Sequence, residues 1–280
     1  MIYDAKYMGN LLQTKYQKMM RKIFILLFLI SEIATAQQQL IMVGGGERTP
    51  DMLTKFIELS GNENGKILVI PWASGEQEIA ALNIKNEVAA LSKISVNNAP
   101  FAPLTTETKA SLLIQLKTAK GIFFCGGDQN LIMDVLKDEE LFKAMHELYK
   151  NKVVFAGTSA GTAIMSEIMI SGEGDFKVID GLKVETKKGL GLMNEIIVDQ
   201  HFIKRQRQNR LIGLIFKNPT LLGIGIDENT ALYVDQNRYA EVLGESQVMI
   251  FETTKQAKEM KFIMLEKGEK YDLKKRKKIK

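Results

Sequence analysis

The stretch VVFAGTSAGTAIM, residues 153–165, decides the fold. It begins with β-branched and aromatic residues typical of a buried strand, passes through small residues, and continues as an apolar segment with helical character. Its centre, GTSAG (157–161), matches G-x-S-x-G, in which small neighbours let strand and helix approach and hold the serine hydroxyl above the sheet. The stretch predicts an α/β fold with Ser159 as nucleophile. A glycine-rich turn that only packs closely, or binds a phosphate, is the alternative.

Short apolar runs on both sides of this stretch predict the rest of the sheet. The predicted strands are LIMV (40–43), KILVIP (66–71), KISVNN (93–98), GIFFC (121–125), KVVFA (152–156), EIIVD (195–199) and LLGIGI (221–226). Helical patterns over 76–91 and 108–119 separate the early strands. Continuous apolar strands with helical crossovers predict a mostly parallel sheet with helices on both faces. From residue 231 the apolar runs follow one another closely, which predicts an antiparallel C-terminal extension.

The amino-terminal segment has the pattern of a secretory signal. Residues 20–36, MRKIFILLFLISEIATA, combine basic residues, a short apolar run and a small-residue Ala-x-Ala exit. The apolar run at 23–30 is shorter than the ~20 residues that span a bilayer, so we expect cleavage after Ala36, an exported protein and no stable membrane span. Residues 1–19 are expected to be an upstream start added to the reading frame. A membrane-anchoring helix or a first core helix is the alternative for 20–36.

The charge is concentrated at the carboxyl end. The last seven residues, KKRKKIK, contain six Lys and Arg residues, more than the formal net charge of +5 for the whole chain. The body from 37 to 273 is therefore acidic, which argues against a nucleic-acid partner. We expect a single α/β serine peptidase domain over 37–265 and a basic, disordered tail over 266–280.

Cysteine and histidine are scarce, with one Cys and two His in the chain. Cys125 cannot form an internal disulfide, and no Cys or His pair has ligand spacing, so we expect neither a metal site nor a cofactor. Cys125 ends an apolar strand, and a buried structural thiol is the expected state there.

A nucleophilic serine needs a base, and histidine is the usual one. His146 lies within a helical pattern, DEELFKAMHELYKNK, whereas His201 follows the strand IIVD at its carboxyl end, where parallel α/β sheets bind ligands. His201 is therefore the predicted base. Asp227 and Glu228 both follow the next strand and point to opposite faces, so either one could orient the imidazole.

Backbone amides near the serine could hold an oxyanion. Ala160 follows Ser159, and Gly127 or Asp128 could supply a second amide, with Gln129 as a side-chain contact. Past His201, FIKRQRQNRLIGLIF is predicted to be an amphipathic helix, in which Arg205 lies one turn from His201 and could reach a substrate carboxylate. The other two arginines, Arg207 and Arg210, share a different face of that helix.

Four segments in this order resemble the cyanophycinases of peptidase family S51, which also includes aspartyl dipeptidases: CGGDQN, GTSAGTA, DQHFIKRQRQNRL and GIGIDENTAL. MVGGGE and IPWAS are similar to that family too, and the resemblance runs from about Leu40 to about Val234. It implies a fold like class I glutamine amidotransferases, which is flavodoxin-like. It implies a Ser-His-Glu triad at Ser159, His201 and Glu228. The substrate-binding residues, with Arg207 added from its position beside Arg210, would be Gln129, Asp199, Gln200, Arg205, Arg207 and Arg210.

The function that this resemblance implies is serine-type hydrolysis of cyanophycin, a polymer of aspartate that carries β-linked arginine, to β-Asp-Arg dipeptides. An aspartyl or isoaspartyl dipeptidase with the same triad is a second reading. A third is a non-catalytic flavodoxin-like module that binds a nucleotide at GGGER (44–48) or GGDQN (126–130), although these lack the G-x-G-x-x-G spacing and a Walker lysine. The expected partner is a peptide or cyanophycin polymer, and a homodimer is compatible with the sequence.

Overall fold

Strand β1 (Gln39–Val43) shows how the chain builds a sheet that is covered on both faces. Leu40 and Met42 belong to one buried apolar cluster, and Ile41 and Val43 belong to another. Because successive strand residues point to opposite faces, this alternation places one core on each side of β1. Every one of these side chains is removed from water, which is worth about 1.5–3 kcal/mol for each large aliphatic residue.

The computed structural model describes residues 38–174, 177–254, 256 and 259–279. The upstream start predicted for 1–19 and the signal segment predicted for 20–36 lie outside these residues. The remaining strands are β2 (Lys66–Ile70), β3 (Ser95–Asn98), β4 (Gly121–Phe124), β5 (Val154–Thr158), β6 (Ile168–Gly174), β7 (Val184–Lys188), β8 (Ile196–Gln200), β9 (Leu222–Ile226), β10 (Thr230–Asp235), β11 (Tyr239–Gly244), β12 (Val248–Thr253), β13 (Met260–Leu265), β14 (Lys270–Asp272) and β15 (Lys277–Ile279). The helices are α1 (Pro50–Leu59), α2 (Gln77–Ala89), α3 (Thr106–Leu116), α4 (Gln129–Val135), α5 (Glu139–Lys150), α6 (Ala160–Ala163) and α7 (Gln208–Lys217), with 3-10 turns at Asn62–Asn64 and Gly181–Lys183.

The main sheet has nine strands in the order β15-β14-β11-β10-β1-β5-β4-β2-β3. The five strands from β1 to β3 in that order pair in parallel, and the four strands on the other side of β1 pair antiparallel. Helices α1 and α2 cover one face, and α3 to α6 contribute to the core on the other. The predicted α/β fold with a parallel sheet and helices on both faces is thereby confirmed.

A second sheet departs from the single sheet that the sequence predicts. Strands β8 and β9 pair in parallel with each other, and β12 and β13 extend them in the order β13-β12-β9-β8. The edge of β1 that β8 or β9 would need is occupied by β10, with Met42 opposite Leu232. Hydrophobic runs identify strands but not their partners, so the sequence does not show that β8, β9, β12 and β13 form a sheet of their own, nor that β6 and β7 pair separately.

The carboxyl-terminal segment forms strands instead of the predicted disordered tail. β14 pairs with β11 and β15 pairs with β14. Tyr271 is 0% exposed and Leu273 is 4% exposed, so two apolar side chains anchor this segment in the core. Its lysines lie on the solvent side and meet acids, as in the Lys278–Glu269 pair at 2.7 Å. The basic composition therefore reflects one polar face of a folded strand pair, and the prediction of disorder is wrong for residues 266–279.

Two general properties of the described part of the chain bear on function. No helix within it is both long enough and apolar enough to cross a bilayer. Within the same residues, no three His, Cys, Asp or Glu side chains cluster in a way that could hold a metal ion.

Candidate active site

Ser159 occupies a strained turn between β5 and α6. Its φ of 52° lies in the left-handed region, and its backbone N–H donates to the carbonyl of Val43 at 3.0 Å. A Cβ on Gly157 would lie 2.4 Å from backbone atoms of Gly161, and one on Gly161 would lie 2.3 Å from the carbonyl oxygen of Phe124. The two glycines of G-x-S-x-G are therefore required by close backbone approach.

His201 meets Ser159 from the second sheet. It follows β8 directly, with a φ of 50°, and its N–H donates to the carbonyl of Gly44 at 2.7 Å. Its Nε2 lies 2.8 Å from Ser159 Oγ, and its Nδ1 lies 2.6 Å from Glu228 Oε1. The structure thus brings the predicted hydroxyl, imidazole and carboxylate into one hydrogen-bonded chain, which is the geometry in which an imidazole can take a proton from a hydroxyl.

The two acids that follow β9 have different partners. Asp227 is buried, and its Oδ1 accepts the N–H groups of Ile203 and Lys204 at 3.0 and 2.9 Å. Its Oδ2 accepts the hydroxyl of Ser246 at 2.9 Å. Glu228 faces His201 instead, so the choice that strand spacing leaves open is made by the side chains' opposite directions.

Three consecutive glycines after β1 hold this chain of groups together. A Cβ on Gly45, whose φ is +109°, would lie 2.2 Å from Cε1 of His201. The carbonyl of Gly45 accepts the N–H of Asn229 at 2.9 Å, and a Cβ on Gly46 would lie 3.1 Å from Cβ of Glu228. From the sequence, this loop is considered only as the nucleotide site GGGER (44–48) of the non-catalytic alternative, and not as part of the catalytic site; the run GGG at a strand's carboxyl end is the signal for it.

Burial sets the protonation states at the site. Burial of the ring lowers the pKa of His201 below its ordinary value, the hydrogen bond to Glu228 opposes this, and the charge of Arg205 lowers the pKa further. The imidazole is therefore neutral near pH 7 and able to accept a proton. Burial raises the pKa of Cys125 to about 12, so this thiol stays protonated and is a poor nucleophile.

The candidate oxyanion donors differ in availability. Ala160 is the first residue of α6, so its N–H has no partner within the helix. Asp128 is excluded because its N–H donates to the carbonyl of Ala73 at 2.8 Å and its carboxylate caps α4 at Asn130. Gly127, with a φ of +136°, precedes it, and Gly126 packs against Ser159, since a Cβ there would lie 3.4 Å from Cβ of Ser159. The prediction of Asp128 as an amide donor is therefore wrong.

Most of the predicted substrate-binding residues lie inside the protein. Asp199 is 1% exposed and Arg210 is 2% exposed, and they form a two-bond ion pair with N–O distances of 2.6 and 2.7 Å. Arg207 donates to the carbonyl and the side chain of Gln200, and both residues are buried. These four residues form a buried polar network. The prediction that they line the substrate pocket is therefore wrong, because their side chains are not accessible to a substrate.

Arg205 differs from the four buried residues because it lies at the surface. Arg205 is exposed, and its N–H donates to the carbonyl of His201 at 2.9 Å. Its segment is a series of turns, since α7 begins only at Gln208, and the helix predicted from Phe202 is interrupted by a φ of 52° at Gln206.

The side chain of Gln129 donates to the carbonyl of Ile170 at 2.8 Å. The other histidine, His146, hydrogen-bonds the carbonyl of Leu190 at 2.8 Å in a structural contact.

A cavity of about 280 Å³ opens onto Ser159 and His201. The loop after β1 lines it with Gly45, Gly46 and Arg48, and α2 lines it with three residues. The remaining lining residues are Ala80, Asn83, Ile84, Cys125, Gly126 and Thr158. The predicted catalytic site includes neither Arg48, which appears only in the alternative nucleotide site GGGER (44–48), nor any residue of α2. The positions 80, 83, 84 and 87 of α2 fall at helical spacing, which could have identified one face of that helix.

Comparison with known proteins assigns the region of the chain that contains this site to a protein family. The model of peptidase family S51 matches residues 39–242. A cyanophycinase of Nostoc sp. is 33% identical over 223 residues, which cover 76% of this chain and 73% of that protein. A cyanophycinase of Geminocystis herdmanii is 32% identical over 223 residues, covering 76% of this chain and 80% of that protein.

Two solved structures share the fold. The crystal structure of a peptidase from an acI-B1 actinobacterium superimposes with a TM-score of 0.65 and 24% identity, covering 84% of this chain and 96% of the other. A putative peptidase E protein from Listeria monocytogenes gives a TM-score of 0.55 and 16% identity, covering 75% of this chain and all of the other.

Proposed function

The chain belongs to peptidase family S51, and we propose that it is a serine exopeptidase that hydrolyses cyanophycin to β-Asp-Arg dipeptides through an acyl-enzyme. The observation that carries the proposal is the continuous hydrogen-bonded chain from Ser159 through His201 to Glu228. The cyanophycinase relatives support the choice of substrate.

The first half of the proposed reaction forms the tetrahedral intermediate that leads to the acyl-enzyme. Ser159 Oγ attacks the scissile carbonyl carbon while His201 Nε2 takes the hydroxyl proton. Glu228 holds the imidazole by its Nδ1 and stabilises the imidazolium that forms. The oxyanion is held by the N–H of Ala160 and, as second donor, the N–H of Gly127; each such donor lowers the barrier by about 3–4 kcal/mol.

The second half releases the products. His201 gives its proton to the leaving nitrogen, the C–N bond breaks, and the amine-side dipeptide departs. Water then attacks the ester carbon while His201 accepts a proton from it, and collapse of the second intermediate returns the proton to Ser159. Arg205, exposed beside His201, binds the terminal main-chain carboxylate of the substrate, and this restricts cleavage to the chain end.

A single assay tests the proposal. Purified protein is incubated with insoluble cyanophycin and, in parallel, with Asp-X and isoaspartyl dipeptides, and the products are separated by chromatography. Release of β-Asp-Arg from the polymer supports the proposal. Turnover of dipeptides alone would replace it by the dipeptidase reading, and tight nucleotide binding without turnover or fluorophosphonate labelling would replace both.

Two further parts of the proposal concern fold class and location. We place the parallel half of the main sheet in the class I glutamine amidotransferase-like, flavodoxin-like class, with the later antiparallel strands as its extension; Ser159 at a parallel strand's end supports this. The signal pattern over residues 20–36 supports export. Amino-terminal sequencing of the protein recovered outside the cytoplasm tests export, with a start at Gln37 expected.

A further inference from the structure

Arg48 stands in the wall of the cavity that contains Ser159 and His201. It follows the glycine loop, with Gly45 under the imidazole and Gly46 beside Glu228. No other arginine or lysine lines this cavity among the residues that the structure describes. Arg48 is therefore the cationic side chain that this cavity offers to a ligand among those residues.

The guanidinium is held in place from one side. Its Nε donates to Oε2 of Glu87 at 2.6 Å, and its Nη2 donates to Oε1 of the same carboxylate at 2.5 Å. Among the residues that the structure describes, its Nη1 meets only the carbonyl of Gly46, at 3.5 Å, which is beyond a good hydrogen bond. Two nitrogens are thus fixed by α2, and the third keeps donor capacity on a side chain that is 17% exposed. A guanidinium fixed in this way is pre-organised to bind an anion.

The position of the imidazole indicates which half of a substrate Arg48 would meet. In the proposed reaction His201 Nε2 hands its proton to the leaving nitrogen, so the leaving group lies on the imidazole side of Ser159. Gly45 lies against the imidazole ring, and Gly46, Arg48, Asn83 and Ile84 line the same cavity. The leaving group therefore enters the space between the glycine loop and α2.

We propose that Arg48 binds, through Nη1, a carboxylate carried by the leaving group, and so determines specificity for an acidic amine-side product. This inference rests on the proposed function. In a polymer of aspartate with arginine joined through the β-carboxyl group, the terminal dipeptide carries two carboxylates, the main-chain one and that of the arginine. Arg205 binds the first, and Arg48 binds the carboxylate of the arginine.

Two matched substrates test the assignment. One is a synthetic β-Asp-Arg trimer with a free carboxylate on its last arginine, and the other has that carboxylate converted to a primary amide. For Arg48→Met we expect kcat/KM on the free acid to fall about 10- to 100-fold, the usual loss when a hydrogen bond to a charged group is removed, mainly through KM. On the amide we expect less than about a threefold change, and Arg48→Lys should recover part of the selectivity for the acid.

Three controls separate binding from a merely structural clamp. Glu87→Gln weakens the same ion pair but keeps the charge of Arg48, so we expect it to retain the preference for the free acid. Arg238→Met removes a comparable arginine–carboxylate pair, with Asp272, far from the site along the chain, and should leave both substrates unaffected. The rate of labelling of Ser159 by a small neutral fluorophosphonate should be the same in Arg48→Met as in the wild type.

The outcomes are distinguishable. Equal losses on acid and amide in Arg48→Met, or the same loss of preference in Glu87→Gln, would overturn the assignment of Arg48 and leave the peptidase proposal standing. A wild-type protein that hydrolyses neither the trimers nor Asp-X dipeptides would overturn the proposed function itself, and the assignment of Arg48 with it.

Discussion

The imidazole of His201 lies against the backbone of Gly45, so closely that a methyl group on Gly45 would come within 2.2 Å of Cε1. The φ of +109° at Gly45 adds a second requirement, since side chains rarely tolerate it. The position of the imidazole relative to Ser159 therefore depends on the glycine loop after β1 (residues 44–46), which has no side chain at Gly45.

Gly45→Ala should therefore damage catalysis more than folding. We expect kcat/KM to fall by about 100-fold or more, because a displacement of about 1 Å of a reacting group is enough for such a loss. Gly75→Ala is the matched control, because nothing lies within 4 Å of a Cβ at that position. Steady-state kinetics with circular dichroism checks both variants, and wild-type activity in Gly45→Ala would refute the packing argument.

Ser159→Ala should abolish turnover while leaving the fold intact. In the proposed mechanism the hydroxyl oxygen forms the acyl bond, and loss of a nucleophile of this kind costs about a factor of 10⁶ in kcat. Removing it leaves the backbone contacts of the turn in place, because these are made by the N–H of Ser159 and by the two flanking glycines. Product release and fluorophosphonate labelling should both disappear. Turnover by Ser159→Ala at the wild-type rate would exclude Ser159 as the nucleophile.

Glu228→Gln and Asp227→Ala should fail in different ways. Glu228→Gln keeps a hydrogen bond to Nδ1 but no longer stabilises the imidazolium, so we expect kcat to fall by about 10² or more with little change in melting temperature. Asp227→Ala leaves the N–H groups of Ile203 and Lys204 without their acceptor, which should cost about 1–3 kcal/mol of unfolding free energy. Thermal melts and kinetics on the pair test this. A reversal of the two phenotypes would exchange the assigned roles.

The acid limb of the pH profile should report His201. Protonation of the imidazole removes the base, so kcat/KM should rise with pH through the pKa of His201 and reach half its plateau below the ordinary imidazole value of about 6.5. Because the charge of Arg205 also lowers the pKa of His201, Arg205→Ala should move this limb to higher pH. A limb that does not move in this variant would mean that the charge of Arg205 does not reach the ring.

Arg205→Ala and Arg210→Met should separate substrate binding from stability. Because Arg205 is exposed, its loss should leave the melting temperature unchanged. It should raise KM, because the substrate carboxylate loses its proposed partner. Arg210 is buried against Asp199, and removing one partner of such a pair leaves an uncompensated charge, which costs about 3–5 kcal/mol. Chemical denaturation and Michaelis–Menten kinetics measure the two effects. An unchanged KM in Arg205→Ala would remove it as the carboxylate anchor.

Local chemistry in the sequence was sufficient for part of the site. The elbow around Ser159 is visible because two glycines at fixed spacing are a steric requirement of one turn. His201 is identifiable because one of only two histidines follows an apolar strand. The choice of Glu228 over Asp227 came from family resemblance alone, and in the structure it follows from the partners that each carboxylate faces.

Other parts depended on contacts between distant segments. Asp199 is buried in an ion pair with Arg210, and the N–H of Asp128 donates to the carbonyl of Ala73. Groups that the sequence suggests for binding a ligand therefore bind other parts of the protein. The lysine-rich end looks like a solvated tail by composition, yet Tyr271 and the pairing of β14 with β11 incorporate it into the main sheet.

The sequence by itself determined the α/β elements, the elbow serine and the imidazole, because each depends on residue types within a few positions of one another. Tertiary structure alone decided that β8 and β9 form a second sheet, that the glycine loop packs against the imidazole of His201, and that Arg48 of the β1 loop pairs with Glu87 of α2. The physical reason is that strand pairing and contacts between segments that are not neighbours in sequence depend on which edges and faces remain free once the rest of the chain has packed.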